Sequence, residues 1–370
     1  MTSLDDLPLR DELRGLVPYG APQKAVRVQL NVNENTHPLP DEVTSSILES
    51  LAIAIRSVNR YPDREFVQLR ESLAGYLGHS LTADNLWAAN GSNEILQQFL
   101  QAFGGPGRSA LGFRPTYSMY PILAAGTGTR WIAAERDPEY RLAPETAVAA
   151  VQRERPDIVI LCSPNNPTGT PLSLETIEAV YDATDGMVVV DEAYAEFAPA
   201  AVPSALTLLP GRPRLVVSRT MSKAFAFAGV RLGYLAADPA VTDAMRLVRL
   251  PYHLSALTQA AAIAALAHAR ELLAMVDDIK AQRDRIAVEL PKLGFTASES
   301  WANFVLFSDV DDPQALFAAL LDCEIIIRDV GIPHSLRVTA GTQAETTEFL
   351  DVLARLVRKG VDGALDRIGT

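Results

Sequence analysis

A lysine among hydroxyl-bearing and small residues is the strongest candidate for covalent chemistry in this sequence. Residues 219–231 contain Thr220, Ser222 and Lys223, and Arg231 follows the lysine by eight residues. Small and aromatic neighbours can desolvate a lysine, which lowers its pKa and favours Schiff-base formation. Two hydroxyls and a guanidinium can together hold a phosphate. A single lysine is usually a solvated surface charge, but this combination indicates a reactive lysine beside a phosphate site.

A carboxylate stands at the end of a short apolar run that precedes the lysine segment. Asp191 follows three valines, Val188, Val189 and Val190, in a pattern typical of a buried strand. Ligands of open α/β sheets bind at the carboxyl ends of the strands, and an acid there could pair with a protonated pyridine nitrogen. An aspartate in this position can also simply cap the next loop, and the residue taken alone favours that role.

Three further segments carry groups that suit a planar, anionic ligand. Residues 163–169 form a proline- and glycine-containing turn after a strand, which can hold an asparagine amide against a ligand oxygen. Residues 90–94 place Gly-Ser ahead of a helical pattern, where free backbone N–H groups attract an anion. Residues 115–120 offer an aromatic face that can stack on a ring. Each segment also has a plain structural interpretation: a turn, a helix start and a pair of core tyrosines.

Taken together, these segments resemble the fold-type I family of pyridoxal-phosphate enzymes, and the resemblance runs over nearly the whole chain. Within that family the chain is most similar to histidinol-phosphate aminotransferases of the actinobacterial type. The matching segments are residues 17–20, 30–35, 60–63, 163–169, 191–194, 219–231, 327–329 and 336–342. One position departs from the family pattern, because Thr36 stands where proline is usual, in a loop that lies near the substrate in relatives.

The resemblance implies a pyridoxal 5′-phosphate cofactor and a role for each matching residue. Lys223 would form the Schiff base and carry a proton from the substrate Cα, Asp191 would hold the proton of the pyridine nitrogen, and Tyr194 would complete the catalytic set. The residues that bind the cofactor would be Ser92, Asn93, Tyr117, Asn166, Asp191, Tyr194, Thr220, Ser222, Lys223 and Arg231, with Tyr61 reaching in from a partner subunit. The residues that bind substrate would be Tyr19, Asn33, Arg328 and Arg337.

The implied activity is a transamination in histidine biosynthesis. L-Glutamate and imidazole-acetol phosphate would give 2-oxoglutarate and L-histidinol phosphate by a ping-pong scheme. Arg337 would bind the carboxylate of glutamate, and Arg328 with Tyr19 would bind the phosphate of the other substrate. The resemblance also implies a homodimer with shared active sites. An aromatic amino-acid aminotransferase or a phosphothreonine-type decarboxylase on the same scaffold stays open, and a non-catalytic regulator of the same fold is a remote alternative.

Composition restricts the partners and the location of the chain. The net charge is −12 and the isoelectric point is about 5.0, which argues against nucleic acid because phosphate backbones attract basic surfaces. The cysteines and histidines lack metal-ligand spacing, so we expect no metal and no disulfide. No P-loop or dinucleotide-binding glycine motif is present. Without a signal peptide or a membrane-spanning apolar run, the expected location is the cytoplasm.

The hydrophobic pattern predicts the elements that must position these groups. Short β-branched runs at 158–161, 187–190 and 215–217 alternate with helical stretches such as 174–181. Such alternation predicts an α/β fold, in which a mostly parallel central sheet is covered by helices. The turn 163–169 directly follows one of these strands, Asp191 ends another at the place where open α/β sheets bind ligands, and the lysine segment follows a third.

A second, smaller unit is predicted toward the C-terminus. A long helical pattern spans residues 255–290, and strand-like runs follow at 303–307, 324–327 and 336–339, ahead of a helix at 344–358. We therefore predict an N-terminal arm at 1–35, a large cofactor-binding domain at 36–255 and a small C-terminal α+β domain at 256–370.

Overall fold

The computed structural model describes Ser3, residues 6–15, Gly20 and residues 22–359. The strands are β1 (Val28–Gln29), β2 (Leu86–Ala89), β3 (Ser109–Arg114), β4 (Arg130–Glu135), β5 (Ile158–Cys162), β6 (Met187–Asp191), β7 (Leu215–Thr220), β8 (Gly233–Ala237), β9 (Thr296–Ala297), β10 (Phe304–Ser308), β11 (Ile325–Ile326) and β12 (Leu336–Thr339). The helices are α1 (Asp41–Ala54), α2 (Val67–Leu77), α3 (Ser92–Phe103), α4 (Met119–Thr127), α5 (Pro144–Glu154), α6 (Leu174–Ala183), α7 (Pro239–Val248), α8 (Ala256–Ala267), α9 (Ala269–Glu289), α10 (Pro313–Asp322) and α11 (Gln343–Lys359).

A seven-stranded sheet forms the centre of the molecule, in the order β2-β8-β7-β6-β5-β3-β4. Strands β4, β3, β5, β6 and β7 are parallel to one another, whereas β8 pairs antiparallel with both β7 and β2 at one side of the sheet. Every residue of β2, β5, β7 and β8 is buried. Since successive side chains of a strand point to opposite faces, both faces of the sheet are covered. The predicted α/β class and mostly parallel sheet are confirmed.

The register of the parallel strands places three polar side chains at paired positions on neighbouring strands. Cys162 at the end of β5 pairs with Asp191 at the end of β6, and Asp191 pairs with Ser218 of β7. Residues paired across neighbouring strands project from the same face of a sheet. The turn 163–169 and the loop that carries Lys223 leave from this same edge.

Helix α3 is an amphipathic helix that begins at this edge. Its residues Ile95, Leu96, Phe99 and Leu100 are buried, at the spacing expected of one helical face. This face packs against β7 and β8. The N-terminus of α3 is thereby held beside the end of β7, close to the lysine loop.

The long helical pattern predicted at 255–290 forms two helices, α8 and α9, with a bend of 76° between them. His268 has non-helical angles (φ −111°, ψ 27°) and separates α8 from α9. Because of the bend, α8 packs on the helices α1 and α2, whereas α9 packs on β10 and α11 of the C-terminal unit. Among the described residues no single helix is long and apolar enough to cross a membrane, although this bent pair taken together meets the length and composition limits.

The C-terminal part forms its own sheets and also binds the N-terminal segment. Strands β9, β10 and β12 make an antiparallel sheet in the order β12-β10-β9. Strand β1 pairs in parallel with β11, so Val28 lies opposite Ile325. The last residues of the predicted arm are therefore attached to the C-terminal unit. The bounds at 35 and 255 stay predictions.

Candidate active site

A cavity of about 330 Å³ opens at the carboxyl edge of the seven-stranded sheet. The predicted site residues that line it are Asn33, Ser92, Asn93, Tyr117, Asn166, Asp191, Tyr194, Thr220, Ser222, Lys223, Arg231, Arg328 and Arg337. Two predicted residues are not among them. Tyr61 lies on the surface, 79% exposed, and stacks on Tyr252 with 4.3 Å between the ring centroids. Tyr19 lies outside the described residues.

One end of the cavity has the donors to receive an anion. Helix α3 begins at Ser92 after Gly91, and no side chain caps this end, so its first backbone N–H groups and the positive end of its dipole are available to a ligand. The Arg231 guanidinium lies against Gly91, where an added Cβ would come within 2.6 Å of Nη2. Thr220 and Ser222 bring two hydroxyls 3.0 Å apart to the same end. Backbone, hydroxyl and guanidinium donors therefore converge.

A buried carboxylate forms another part of the wall. Asp191 Oδ2 accepts a hydrogen bond of 2.7 Å from the Tyr120 hydroxyl, and Oδ1 accepts bonds of 3.3 Å from the Ser218 hydroxyl and the Ala193 N–H. Burial raises the pKa of Asp191, and the bonds from Tyr120 and Ser218 oppose that rise. The bond from the Ala193 N–H is the loop-capping contact that the sequence also suggested for Asp191. Asp191 makes this contact and also lines the cavity. A buried acid beside a cavity suits a cationic N–H group.

Lys223 reaches the cavity from the loop after β7. Its Nζ donates a hydrogen bond of 2.9 Å to the carbonyl of Val32 in the N-terminal segment. Burial lowers the pKa of Lys223 to about 8, and Arg337 adds to the effect. A lysine with this pKa carries a useful fraction of neutral amine near pH 7, so it can act as a nucleophile or as a base.

The hydroxyl of Tyr194 is held by two asparagines. Asn33 Nδ2 donates to it at 2.9 Å and Asn166 Nδ2 at 3.4 Å. Asn33 in turn accepts a bond of 3.1 Å from the Thr339 hydroxyl. Burial raises the pKa of Tyr194, while Arg337 and Asn33 lower it, so the hydroxyl keeps its proton. Since both asparagines donate to the oxygen, the hydroxyl hydrogen can be donated to a ligand.

Arg328 and Arg337, both from the C-terminal unit, lie side by side on the cavity wall. The backbones of Arg328 and Arg337 exchange hydrogen bonds of 2.9 and 2.8 Å in an antiparallel bridge. The buried Arg337 donates from Nη1 to Asn166 Oδ1 at 2.6 Å and from Nη2 to the Asn31 carbonyl at 2.9 Å. Arg328 is half-buried. The bridge therefore places two permanent cations on one wall.

The charges around the cavity favour anionic ligands. The cationic lining residues are Lys223, Arg231, Arg328 and Arg337, and the acidic ones are Glu34 and Asp191. The whole chain has a net charge of −12, so positive charge is concentrated where a ligand would bind. Together with a lysine of lowered pKa, this arrangement suits covalent chemistry on amines and acids.

Several contributors to the cavity were not identified from the sequence. Cys162 lines it, and its position at the end of a strand just before the turn 163–169 was a usable signal. Val32 contributes a backbone carbonyl, which no residue type reveals. Glu34 lay inside a matching segment but had no assigned role. Tyr120, which donates to Asp191, was grouped with Tyr117 as an aromatic face.

Comparisons with known proteins agree with this geometry. The aminotransferase class I and II family matches residues 26–353. A histidinol-phosphate aminotransferase of Paenarthrobacter aurescens (strain TC1) is 62% identical and covers 96% of each chain. One of Thermobifida fusca (strain YX) is 57% identical, over 95% of this chain and 96% of that one.

A solved structure extends the agreement to three dimensions. The histidinol-phosphate aminotransferase from Sinorhizobium meliloti, in complex with pyridoxal-5′-phosphate, has a TM-score of 0.85 and 27% identity, over 95% of this chain and 98% of that one. The family predicted from the sequence motifs is therefore confirmed. The chain belongs to the aminotransferase class I and II family, and within it to the histidinol-phosphate aminotransferases.

Proposed function

We propose that this chain is a pyridoxal 5′-phosphate-dependent transaminase of histidine biosynthesis. It would move the amino group of L-glutamate to imidazole-acetol phosphate, forming 2-oxoglutarate and L-histidinol phosphate. The main support for this proposal is that Lys223, Asp191, Arg328 and Arg337 all line the same cavity. The lysine and the buried carboxylate suit the cofactor, and two arginines suit two acidic substrates.

The anion-binding end of the cavity fits the phosphate of this cofactor. The N-terminus of α3, the hydroxyls of Thr220 and Ser222 and the Arg231 guanidinium supply both neutral and charged donors. The fit depends on a close approach of backbone to backbone. A Cβ on Gly233 would lie 2.1 Å from the backbone nitrogen of Ser92, so only glycine lets β8 lie this near to the helix start.

The rest of the cavity fits the ring. Asp191 would hold the proton of the ring nitrogen, because a buried carboxylate is most stable beside a cation. Tyr194 and Asn166, which are hydrogen-bonded to each other, would bind the ring hydroxyl oxygen. Tyr117 is half-buried on the cavity wall and would stack on the ring face. Asn93, whose side chain donates to the Tyr117 hydroxyl at 3.4 Å, would join Ser92 at the phosphate.

The protein residues supply proton transfer and charge. When bound, pyridoxal phosphate provides an aldehyde carbon that combines with amines and a ring that withdraws electrons from the substrate Cα. Lys223, as a neutral amine, would accept the Cα proton at Nζ. The Val32 carbonyl, 2.9 Å from Nζ, would hold the resulting ammonium until that proton is released.

Two arginines would divide the recognition of the substrates. Arg337 is buried and fixed by Asn166 and the Asn31 carbonyl, so it would bind the carboxylate of glutamate as a preorganised fork. Arg328 is less buried and would bind the more distant phosphate of histidinol phosphate. Asn33 would act on the substrate through the Tyr194 hydroxyl that it holds.

The surface around Tyr61 supports a homodimer. Tyr61 stacks on Tyr252, and Leu247 and Leu250, which precede Tyr252 in the chain, are 86% and 76% exposed. Apolar side chains exposed to this degree in one segment are typical of an interface. In a two-fold symmetric dimer Tyr61 would complete the cofactor site of the partner subunit.

We also propose that the enzyme acts on small molecules in the cytoplasm, without a nucleic-acid partner. The described cysteines, Cys162 and Cys323, are both free thiols, which agrees with a reducing compartment. The net charge of −12 disfavours binding to nucleic acid.

The decisive experiment is an amino-acceptor panel. With L-glutamate as donor, kcat/KM would be measured for imidazole-acetol phosphate and for phenylpyruvate. The phosphorylated acceptor should be preferred by about tenfold or more, because a charge-assisted contact to phosphate is absent with phenylpyruvate. Equal or better use of phenylpyruvate would assign an aromatic aminotransferase instead. Release of carbon dioxide from phosphothreonine would assign a decarboxylase.

A further inference from the structure

A buried tyrosine contacts the carboxylate that faces the ring-binding part of the cavity. Tyr120 lies in the first turn of α4 and is fully buried. Its hydroxyl donates to Asp191 Oδ2 at 2.7 Å, a distance in the middle of the range for O–H···O bonds. The bonds to the other carboxylate oxygen, from Ser218 and Ala193, are longer at 3.3 Å. Tyr120 is therefore the strongest protein donor to this group.

We propose that Tyr120 is a positioning residue, which fixes the Asp191 carboxylate in one orientation and in its charged form so that the cofactor ring nitrogen stays protonated. The inference rests on the proposed function, because it needs the ring nitrogen to face Asp191.

The number of acceptor positions supports the proposal. An ionised carboxylate offers about four acceptor positions. Tyr120, Ser218 and Ala193 occupy three of them, which leaves about one direction for a ligand N–H. A carboxylate held in this way cannot turn to bind elsewhere, so its remaining acceptor position is preorganised.

The tyrosine is itself held by its neighbours. Its ring packs edge-on against Tyr117, with centroids 5.4 Å apart, and tilts against Trp131 at 6.2 Å. Tyr117 lines the cavity, so one aromatic pair touches the ring-binding space and, through Tyr120, the carboxylate. A packed ring keeps its hydroxyl on Asp191 Oδ2 without the entropy cost of ordering a mobile side chain.

The electrostatic surroundings make this bond necessary. The titratable groups around Asp191 include Cys162 on the neighbouring strand, Glu192 next in sequence and, near Cys162 and Tyr120, Arg136. Lys223 and Tyr194 line the same cavity. Burial and Glu192 raise the pKa of Asp191, and the Tyr120 bond is the largest effect that lowers it. Burial also raises the pKa of Tyr120 well above its ordinary value, so the hydroxyl remains a donor. Without this donor, the proton shared with a ring nitrogen would move toward the carboxylate.

The test compares two tyrosine-to-phenylalanine variants as holoenzymes. Tyr120→Phe removes the donor to Asp191. Tyr76→Phe is the matched control, because the Tyr76 hydroxyl also donates to a buried carboxylate, Glu196, at 3.3 Å, but Glu196 lies outside this cavity. Thermal unfolding of both variants reports any general loss of packing.

Two measurements report the state of the ring. NMR of bound pyridoxal phosphate with an isotope-labelled ring nitrogen reports protonation, and equilibrium dialysis gives the dissociation constant of the cofactor. For Tyr120→Phe the nitrogen signal should move toward that of a neutral pyridine across roughly pH 6 to 9. Cofactor affinity should fall by about tenfold to a hundredfold. Tyr76→Phe should keep both wild-type values.

The outcomes separate this inference from the proposed function. If wild type shows a protonated nitrogen and Tyr120→Phe matches it, with cofactor affinity within about twofold, the role of Tyr120 is refuted and the transaminase stands. If wild type itself shows a neutral ring nitrogen, the proposed role of Asp191 fails. Ser218→Ala provides a second variant, should Tyr120→Phe not fold. Its longer bond predicts a smaller change in the same direction, and a wild-type signal and affinity in that variant would overturn the inference.

Discussion

Lys223 of the cofactor-free protein should lose its proton near pH 8. Burial lowers its pKa to about 8 from the ordinary value of 10.5, and Arg337 contributes in the same direction. At pH 7 about one lysine in ten would then be a neutral amine, against roughly one in three thousand at an ordinary pKa. Only the neutral amine adds to an aldehyde. The rate constant for covalent capture of pyridoxal phosphate should therefore rise about tenfold from pH 6 to pH 7 and level off above about pH 8.

Stopped-flow absorbance measures this directly, when cofactor-free protein is mixed with pyridoxal phosphate at a series of pH values. Lys223→Ala is the control, since it should lack the covalent phase altogether. Arg337→Gln removes the second cause of the low pKa, so its midpoint should move to higher pH. A capture rate that keeps rising about tenfold per pH unit up to about pH 10 would mean that Lys223 has an ordinary pKa, and the argument from burial would be wrong.

Three further predictions concern the other site residues. Asp191→Ala should lower kcat by roughly a hundredfold to a thousandfold, as expected for a lost preorganised charge contact; near-normal turnover with cofactor bound would contradict the role of Asp191. Mixing Tyr61→Ala subunits with Lys223→Ala subunits should restore activity, because one site of each heterodimer then receives neither change; no recovery in a mixture shown to exchange subunits would place Tyr61 in its own subunit's site. Arg328→Ala should lower kcat/KM for histidinol phosphate by about tenfold to a hundredfold and that for phenylalanine much less, whereas Arg337→Ala should mainly affect glutamate; equal losses for all three substrates with Arg328→Ala would make Arg328 structural.

Local patterns predicted three neighbouring strands of the central sheet, whereas the family resemblance supplied the roles of most cavity residues. The β-branched runs at 158–161, 187–190 and 215–217 became β5, β6 and β7, because strands buried on both faces need continuous apolar residues. Parallel strands end at one edge of a sheet, so residues that follow each run were bound to meet. This explains why Asn166, Asp191 and Lys223 reach one cavity.

Contacts between distant segments could not be predicted in this way. The pattern at 255–290 is helical throughout, but packing on two different layers bends the chain at His268. The hydrogen bond from Tyr120 to Asp191 spans 71 residues, and that from Lys223 to Val32 spans 191. Periodicity and residue type report local conformation, whereas these bonds depend on the complete fold.

The departure at Thr36 has a structural explanation in the N-terminal segment. The Thr36 hydroxyl donates to Glu345 Oε2 at 2.6 Å, and the same oxygen accepts the Thr342 N–H at 2.8 Å. Glu345 lies in the first turn of α11, where a carboxylate is favoured by the helix dipole. A proline at position 36 has no hydroxyl to donate. In this chain a side-chain hydrogen bond ties the loop to the C-terminal unit.

The segment that Thr36 holds in place also contacts two cationic side chains of the cavity, Arg337 and Lys223. The segment between β1 and Thr36 gives its Asn31 carbonyl to Arg337 and its Val32 carbonyl to Lys223. At its ends it is fixed by β11 on one side and by Glu345 on the other. Because adjacent carbonyls bind the two side chains, a shift of this segment would move Arg337 and Lys223 together. Asn31 and Val32 also line the cavity, so in the proposed mechanism the attachment of this segment to the C-terminal unit would help to hold the arginine proposed to bind carboxylate and the lysine proposed to transfer the proton in place relative to each other.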